Sequence, residues 1–473
     1  MIEKIIAYSA KNKFLTITFV LFLVAWGFWS MKNISLDAIP DLSDVQVIVY
    51  ADWEGRSPDL IEDQITYPIL TTMIAAPRVK FARGQSMFGT SFIYVIFEDG
   101  TDIYWARSRV LEYLNEVNGK LPEGVTPTLG PDATGVGWIF EYALVDEGEN
   151  DLSELRSFQD WYLRYWLEGV PGVAEVASVG GYVKQYQVSL DPNKLLAFNI
   201  PVNEVVEAIR KSNNDVGGRV VEFASTEYFV RGRGYIKSVE DIETIPVATD
   251  GQGTPVYIRD IGNVELGPDI RRGLSEIDGK GETVGGIVIM RYGENALDVI
   301  KNIKQKIEDI KPSLPEGVKV VTTYDRSGLI ERAVATLKST LTEEMVIVSV
   351  VIILFLLHFR SAIIPILTLP FGVLIAFIPM YYMGLTANIM SLGGIAIAIG
   401  AMVDASIVLI ENVHKKLEKW KAGGERESRL DVVIDGMKEV GKPIFFSLLV
   451  ITISFLPIFT LEAQEGRLFK PLA

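Results

Sequence analysis

Apolar residues gather in charge-free runs near the two ends of the chain, with a long mixed segment between them. Runs of about 18 or more such residues match the length of a membrane-crossing helix. The first runs from Phe14 to Met31, between Lys13 and Lys32. The second centres on Met345 to Leu357 and continues a helical pattern from about Thr336. The third, Ser361 to Val403, holds 43 residues without a charge. One helix of that length would measure about 65 Å against a hydrocarbon core of about 30 Å, so the run predicts two helices. The polar turn Met383-Gly-Leu-Thr-Ala-Asn388 supplies the break. The last run is Pro443 to Leu461, and five spans are predicted in all. A cleaved signal peptide is the rival reading of the first run. Its exit, Trp26-Gly-Phe-Trp29-Ser-Met31, lacks a small-x-small cleavage site, which favours an uncleaved anchor.

The segment between the first two runs alternates strand and helix patterns. Val45 to Ala51 reads as a strand, and Ser57-Pro58-Asp59 opens a helix that ends near Ala75. Strand-like stretches Val79 to Arg83 and Ser91 to Phe97 follow. Thr101-Asp102 then caps a helix to about Lys120, and a short strand follows Gly124. That order, βαββαβ, predicts a ferredoxin-like unit. A second copy is suggested by the phrase Leu121-Pro-Glu-Gly-Val125, which recurs as Leu314-Pro-Glu-Gly-Val318 after a second amphipathic helix. The second copy is split over Trp138 to Val179 and Thr283 to Thr323. The insertion, about Tyr182 to Asp269, predicts a third unit. The fold class is therefore a membrane α-helical bundle joined to an α+β outer domain.

Charge gives the orientation. The segment His414 to Lys442 carries Lys415, Lys416, Lys419, Lys421, Arg426, Arg429, Lys438 and Lys442, which predicts a cytoplasmic loop. Counting spans outward from it puts the N-terminus inside and residues 34–337 outside. Of the 45 Lys+Arg and 60 Asp+Glu, residues 34–337 hold 29 and 47. The acidity belongs to the exported part, where it favours cations electrostatically. An acidic chain of this kind argues against a nucleic-acid partner. Without cysteine there is no disulfide, Cys-ligated zinc, iron–sulfur or thiol chemistry, and His358 and His414 are too few for a histidine-rich metal site. Gly436-Met-Lys-Glu-Val-Gly441-Lys442 mimics a P-loop, but Pro443 stands where Ser or Thr is needed.

No catalytic constellation stands out, and no resident cofactor is expected. The informative residue is Asp404, deep in the fourth span. A carboxylate there costs several kcal/mol unless paired or neutral, so it is a candidate for proton exchange coupled to motion. Gly400 and Ala396, about one and two turns before it, would let a partner helix approach. Glu411, seven residues on, is a second candidate, with a solvated interfacial acid as the plainer reading. Met390 and Met402 offer soft thioether sulfur suited to Cu(I) or Ag(I), and are equally ordinary membrane filler.

Together with this layout, three stretches resemble the heavy-metal subfamily of resistance–nodulation–division (RND) efflux pumps. They are Asp37-Ala-Ile-Pro-Asp41-Leu-Ser-Asp44-Val-Gln-Val47, Gly130-Pro-Asp-Ala-Thr-Gly135, and Gly393 through Asp404 to Glu411-Asn412. The resemblance implies a proton-driven inner-membrane exporter that works as a homotrimer with a periplasmic adaptor and an outer-membrane channel. It assigns 1–33 to the first span, 34–135 to one porter subdomain, and 136–181 with 271–335 to a second. It further assigns 182–270 to a docking subdomain whose hairpin, near Asn214 to Arg233, reaches the next protomer, and 336–473 to spans two to five. Asp404 matches the family's proton-relay aspartate, and Met390 and Met402 match methionines of its metal path. Arg83, in Arg83-Gly-Gln-Ser-Met-Phe-Gly89, is a weaker candidate for the periplasmic cleft. Ile397-Ala-Ile-Gly400 stands where divalent-metal relatives carry a second acid, which favours the Cu(I)/Ag(I) type. Leu409 stands where that type carries a Met. A divalent-metal or organic-substrate pump is the alternative within the class. A non-transporting membrane-anchored periplasmic binding or scaffold module is the alternative outside it. The chain stops at Ala473, where a sixth span and a second half would follow in the family.

Overall fold

The computed structural model describes residues 1–148, 150–249, 253–271, 273–356, 359–424 and 428–473. Leu357, His358 and Arg426 lie outside the described residues.

Alternating burial builds the first sheet. On β1 (Gln46–Asp52) Val47, Val49 and Ala51 point inward. β2 (Val79–Met87), β3 (Thr90–Phe97) and the short β4 (Thr128–Leu129) complete the order β2-β3-β1-β4, with every pair antiparallel. Helix Ile103–Asn118 packs on one face through Ala106, Val110, Leu114 and Val117, a spacing of three or four that keeps one stripe buried. Asp102 caps it by accepting from the Trp105 N–H. The other helix covers Pro58 to Ile74 and contains a π turn at Glu62–Thr66.

The second sheet repeats this connectivity. β5 (Trp138–Asp146), β6 (Val173–Gly180) and two later strands, β13 (Val284–Met290) and β14 (Val318–Asp325), lie in the order β14-β5-β13-β6. Leu121-Pro-Glu-Gly-Val125 and its repeat occupy matching places, each between a helix and the last strand. In both, the Val N–H donates to the Pro carbonyl at 3.1 Å, and the glycine, Gly124 or Gly317, has φ near +85°. That backbone is open to glycine and costly for other residues, which accounts for the glycine in both places.

Between β6 and β13 lie β7 (Lys184–Leu190), β8 (Val216–Phe223), β9 (Thr226–Gly232), β10 (Pro246–Thr249), β11 (Pro255–Tyr257) and β12 (Gly262–Pro268). They form three two-stranded sheets with a separate core around Val205, Ile258 and Ile261. The hairpin of β8 and β9 stands clear of that core. All its residues are exposed, Phe223 and Phe229 among them, and Arg231 and Asp215 pair at its base.

Among the described residues four helical segments are long and apolar enough to cross a membrane: Lys13–Asn33, Ala362–Tyr382, Ile389–Ala422 and Arg429–Thr460. The charge-free run of 43 residues breaks at the polar turn, as its length requires. Helix Phe359–Tyr382 ends, Gly384 takes φ +67°, and Asn388 caps the next helix by accepting from the N–H groups of Met390 and Ser391. The expected span around Met345 lies in helix Arg326–Leu356, which begins ten residues before the predicted start and follows β14 directly. His414 to Lys442 is not a loop in the main. Helix Ile389–Ala422 carries its basic end past His414, and the next helix starts at Arg429. A helix of 34 residues is about 51 Å long, so its charged end extends past a hydrocarbon layer of about 30 Å. Lys416 there pairs with Asp435 at 2.8 Å and Glu439 at 3.0 Å.

Candidate functional site

Helix Ile389–Ala422 holds four of the five residues singled out in the sequence. Its inner face is set by Ile395, Ile399, Val403 and Ile410, which are buried against the neighbouring helices. Met402 turns the same way. Its Sδ rests on Gly372 of helix Phe359–Tyr382, where a β-carbon would come within 2.6 Å of the sulfur. Met390 sits in the first turn at the capped end, half-buried. Asp404 lies about 21 Å from it along the axis, at 1.5 Å per residue.

Asp404 faces away from the packed side. Ile397, Gly400, Asp404, Val408 and Glu411 form one exposed stripe, and nothing approaches within 4 Å of a β-carbon built at Gly400. Among the described residues Asp404 has no hydrogen-bond or ion-pair partner. Glu411 pairs with Lys415 at 2.6 Å, one turn on, and both side chains are exposed, which fits the plainer reading of an interfacial acid. The structure thus places Met402 and Asp404 on opposite faces of one helix and does not bring them together.

Arg83 is remote from this helix. It lies on β2, paired in register with Tyr94 on β3, and its guanidinium sits 5.0 Å from the Tyr94 ring centre. The next residue, Gly84, lets Thr66 of the π turn approach the strand: a β-carbon there would meet the Thr66 methyl group and come within 3.3 Å of Leu70 Cδ1. Thr66 bonds Ser86 at 2.8 Å and Ser91 at 2.7 Å. No group of three or more His, Cys, Asp or Glu able to hold a metal occurs among the described residues.

Where the apolar helices meet the second sheet, a cavity of about 510 Å³ opens beside the turn at Thr386. Asp41, Met290, Tyr292, Glu294, Asn388 and Lys470 line it. Two cations, Arg326 buried and Arg467 partly buried, brace its surroundings, and the sequence reading marked neither. Arg326 is 6% exposed and bonds Asp37 at 2.9 Å and the Val136 carbonyl. Arg467, in the short helix Ala463–Phe469, bonds the Leu42 carbonyl at 2.9 Å, Asp44 at 3.0 Å and Asp99. The Arg467 bond holds the Asp99 carboxyl below its usual range against the opposing effect of burial. Beside Arg326, burial raises the Asp325 carboxyl, but bonds from Lys304 and Ser327 outweigh it and leave that group lowered as well. The available signal was an Arg that opens a helix leading into an apolar run. Its partner 289 residues away could not be read from it.

The AcrB/AcrD/AcrF family model matches residues 5–473. The chain belongs to that family of RND transporters. It is 56% identical over 479 residues to the cation efflux system protein CusA of Escherichia coli, covering 100% of this chain and 46% of CusA. It is 38% identical over 485 residues to the cobalt-zinc-cadmium resistance protein CzcA of Cupriavidus metallidurans, covering 45% of that protein. A crystal structure of a heavy metal efflux pump superposes with a TM-score of 0.87 at 32% identity, covering 100% of this chain and 46% of that one. The chain therefore spans about half the length of the relatives it matches.

Proposed function

We propose that this chain forms the N-terminal half of a proton-driven efflux pump that exports heavy-metal cations across the bacterial inner membrane, with Cu(I) and Ag(I) as its cargo. The observation that carries the reading is the uncovered stripe around Asp404. A carboxylate facing lipid at mid-span is disfavoured by several kcal/mol, and helix faces of this kind are met by protein or line a water-filled path. A cover supplied by the rest of the pump leaves Asp404 able to take and release a proton, and its charge state then biases how the helices sit. The higher identity to the cation efflux protein CusA than to the cobalt-zinc-cadmium resistance protein CzcA supports a cargo outside the divalent branch.

In this reading helix Arg326–Leu356 is the second of five spans, the N-terminus is cytoplasmic and residues 34–337 are periplasmic. The two sheets are ferredoxin-like porter subdomains, because their matching orders, β4-β1-β3-β2 and β14-β5-β13-β6, are that of a split βαβ. The insertion is the docking subdomain. Its free hairpin engages a second protomer of a homotrimer, which supplies the cover that Phe223 and Phe229 lack here. A periplasmic adaptor and an outer-membrane channel complete the export path. Met402 and Met390 mark successive positions toward the outer cavity, and Arg83 belongs to the periplasmic cleft. No resident cofactor enters the cycle.

The test is Asp404→Asn in the full-length protein, with growth in silver, copper, zinc and cobalt salts. Loss of silver and copper resistance with normal assembly is expected. Retained resistance would sink the proton-coupled reading, and protection only against zinc or cobalt would reassign the cargo.

A further inference from the structure

We infer that Arg326 and Asp37 form the positioning link that carries a displacement of helix Ile389–Ala422 into the second sheet. The inference rests on the proton-coupled reading and adds a route between the carboxylate and the outer domain.

The route is continuous in the structure. Ile389, the first residue of the helix that holds Asp404, donates its N–H to the Ala38 carbonyl at 3.2 Å. Ala387 donates to Ser35 at 2.9 Å, and Asp37 donates back to Ala387 at 3.2 Å, around a parallel bridge between Leu36 and Ala387. The segment that leaves the first membrane helix is therefore stitched to the outer end of the Asp404 helix. Asp37 then receives Arg326 Nη2 at 2.9 Å. The other arm of the same guanidinium donates to the carbonyl of Val136, two residues before β5. Arg326 is also the residue at which β14 becomes helix Arg326–Leu356, with no linker between them. One side chain thus joins the strap, the edge and an inner strand of the second sheet, and a membrane helix.

The chemistry suits a rigid link. A guanidinium presents its donors in a fixed plane, so two acceptors on different elements are held at a set angle, which an ammonium cannot do. The Arg326 side chain is 7% exposed and that of Asp37 18%, so separating the pair would strand a charge largely away from water. A buried guanidinium bonded to two elements couples their positions.

A staple that only holds the fold together would share this geometry, so the test needs a readout that a staple does not move. Full-length protein in proteoliposomes is assayed for Ag(I) transport as a function of pH, as wild type, Asp37→Asn, Arg326→Lys and the double variant, with Asp404→Asn alongside. Asp37→Asn keeps the shape and is the variant expected to fold if Arg326→Lys does not. The expected result is a fall of about fivefold to tenfold per folded protein and a shift of about half a pH unit or more in the midpoint of the profile. The double variant should be no worse than the more severe single, because both remove one interaction. An unchanged midpoint with activity scaled to the folded fraction overturns the link, as do additive single effects. If Asp404→Asn transports like wild type, the proton-coupled reading itself has failed. If Asp404→Asn is dead while Asp37→Asn is normal, only the link has failed.

Discussion

Replacing Gly27 by alanine should loosen the membrane bundle at its tightest crossing. Gly27 is buried in helix Lys13–Asn33, where that helix meets Phe359–Tyr382 backbone to backbone. A β-carbon there would lie 2.6 Å from the carbonyl carbon of Leu374 and closer still to its oxygen. Ordinary contact begins near 3.4 Å, so the helices must separate by at least 0.8 Å, and no flexible side chain stands between them to give way. Overpacking of this kind costs about 1–3 kcal/mol, and a central value of about 2 kcal/mol is a factor of about 30 in the folded equilibrium. The edge-to-face contact of Trp29 and Tyr381, centred 5.2 Å apart on the same interface, would be strained by the same movement. Ser30 provides the internal control. It is one turn on, 0% exposed, and its hydroxyl has no hydrogen-bond partner among the described residues. Ser30→Ala removes an unpaired buried oxygen and adds no volume, so it should be neutral or mildly stabilising. Thermal unfolding of the full-length protein in detergent reads both. A Gly27→Ala protein that melts with the wild type would refute the packing argument, and so would a Ser30→Ala protein destabilised as much as Gly27→Ala.

Three further outcomes follow from particular contacts. Gly400→Ala meets nothing within 4 Å in this chain and improves helix propensity by up to about 1 kcal/mol, so any loss of transport in the full-length protein reports a cover over the Asp404 stripe; unchanged transport argues against one. Asp99 has a lowered pKa in the folded protein, so its bond to Arg467 stabilises the docked helix Ala463–Phe469 above the unfolded value of about 3.9 and is lost as pH falls through the folded value. Because Asp99 and Arg467 keep partial solvent access, the effect is about 1 kcal/mol or less; the helix's protection against hydrogen exchange, corrected for the intrinsic rate at each pH, should fall in acid in the wild type, and Arg467→Ala should remove that dependence. Met402→Leu keeps the packing on Gly372 but removes the sulfur, so silver resistance should fall with unchanged melting if the thioether handles the ion, and unaltered resistance would make Met402 filler.

The legible parts of the fold were those that rest on length and local chemistry. The 43 charge-free residues had to break, and Asn388, whose side chain can accept from two N–H groups, marks the place. The phrase Leu-Pro-Glu-Gly-Val could be matched to its repeat because a glycine at φ near +85° leaves few substitutes. Asp404 was legible as a charge in an apolar run, but its uncovered face was not, since periodicity cannot say which side of a helix has a neighbour. The start of helix Arg326–Leu356 was misplaced because its first turns carry Arg326, Glu331 and Arg332, which break the apolar pattern without breaking the helix. Arg326 and Arg467 were missed for a related reason. Their partners Asp37, Asp44 and Asp99 lie hundreds of residues away, and only the assembled fold turns ordinary charges into junctions between elements.

The central claim is that Asp404 couples proton movement to metal export. Its most direct test is simultaneous measurement of Ag(I) transport and proton flux in proteoliposomes of the full-length protein. The account predicts metal-dependent proton movement in the wild type and neither flux with Asp404→Asn, although that variant assembles normally. Silver transport without a proton flux, or both fluxes intact in Asp404→Asn, would contradict it.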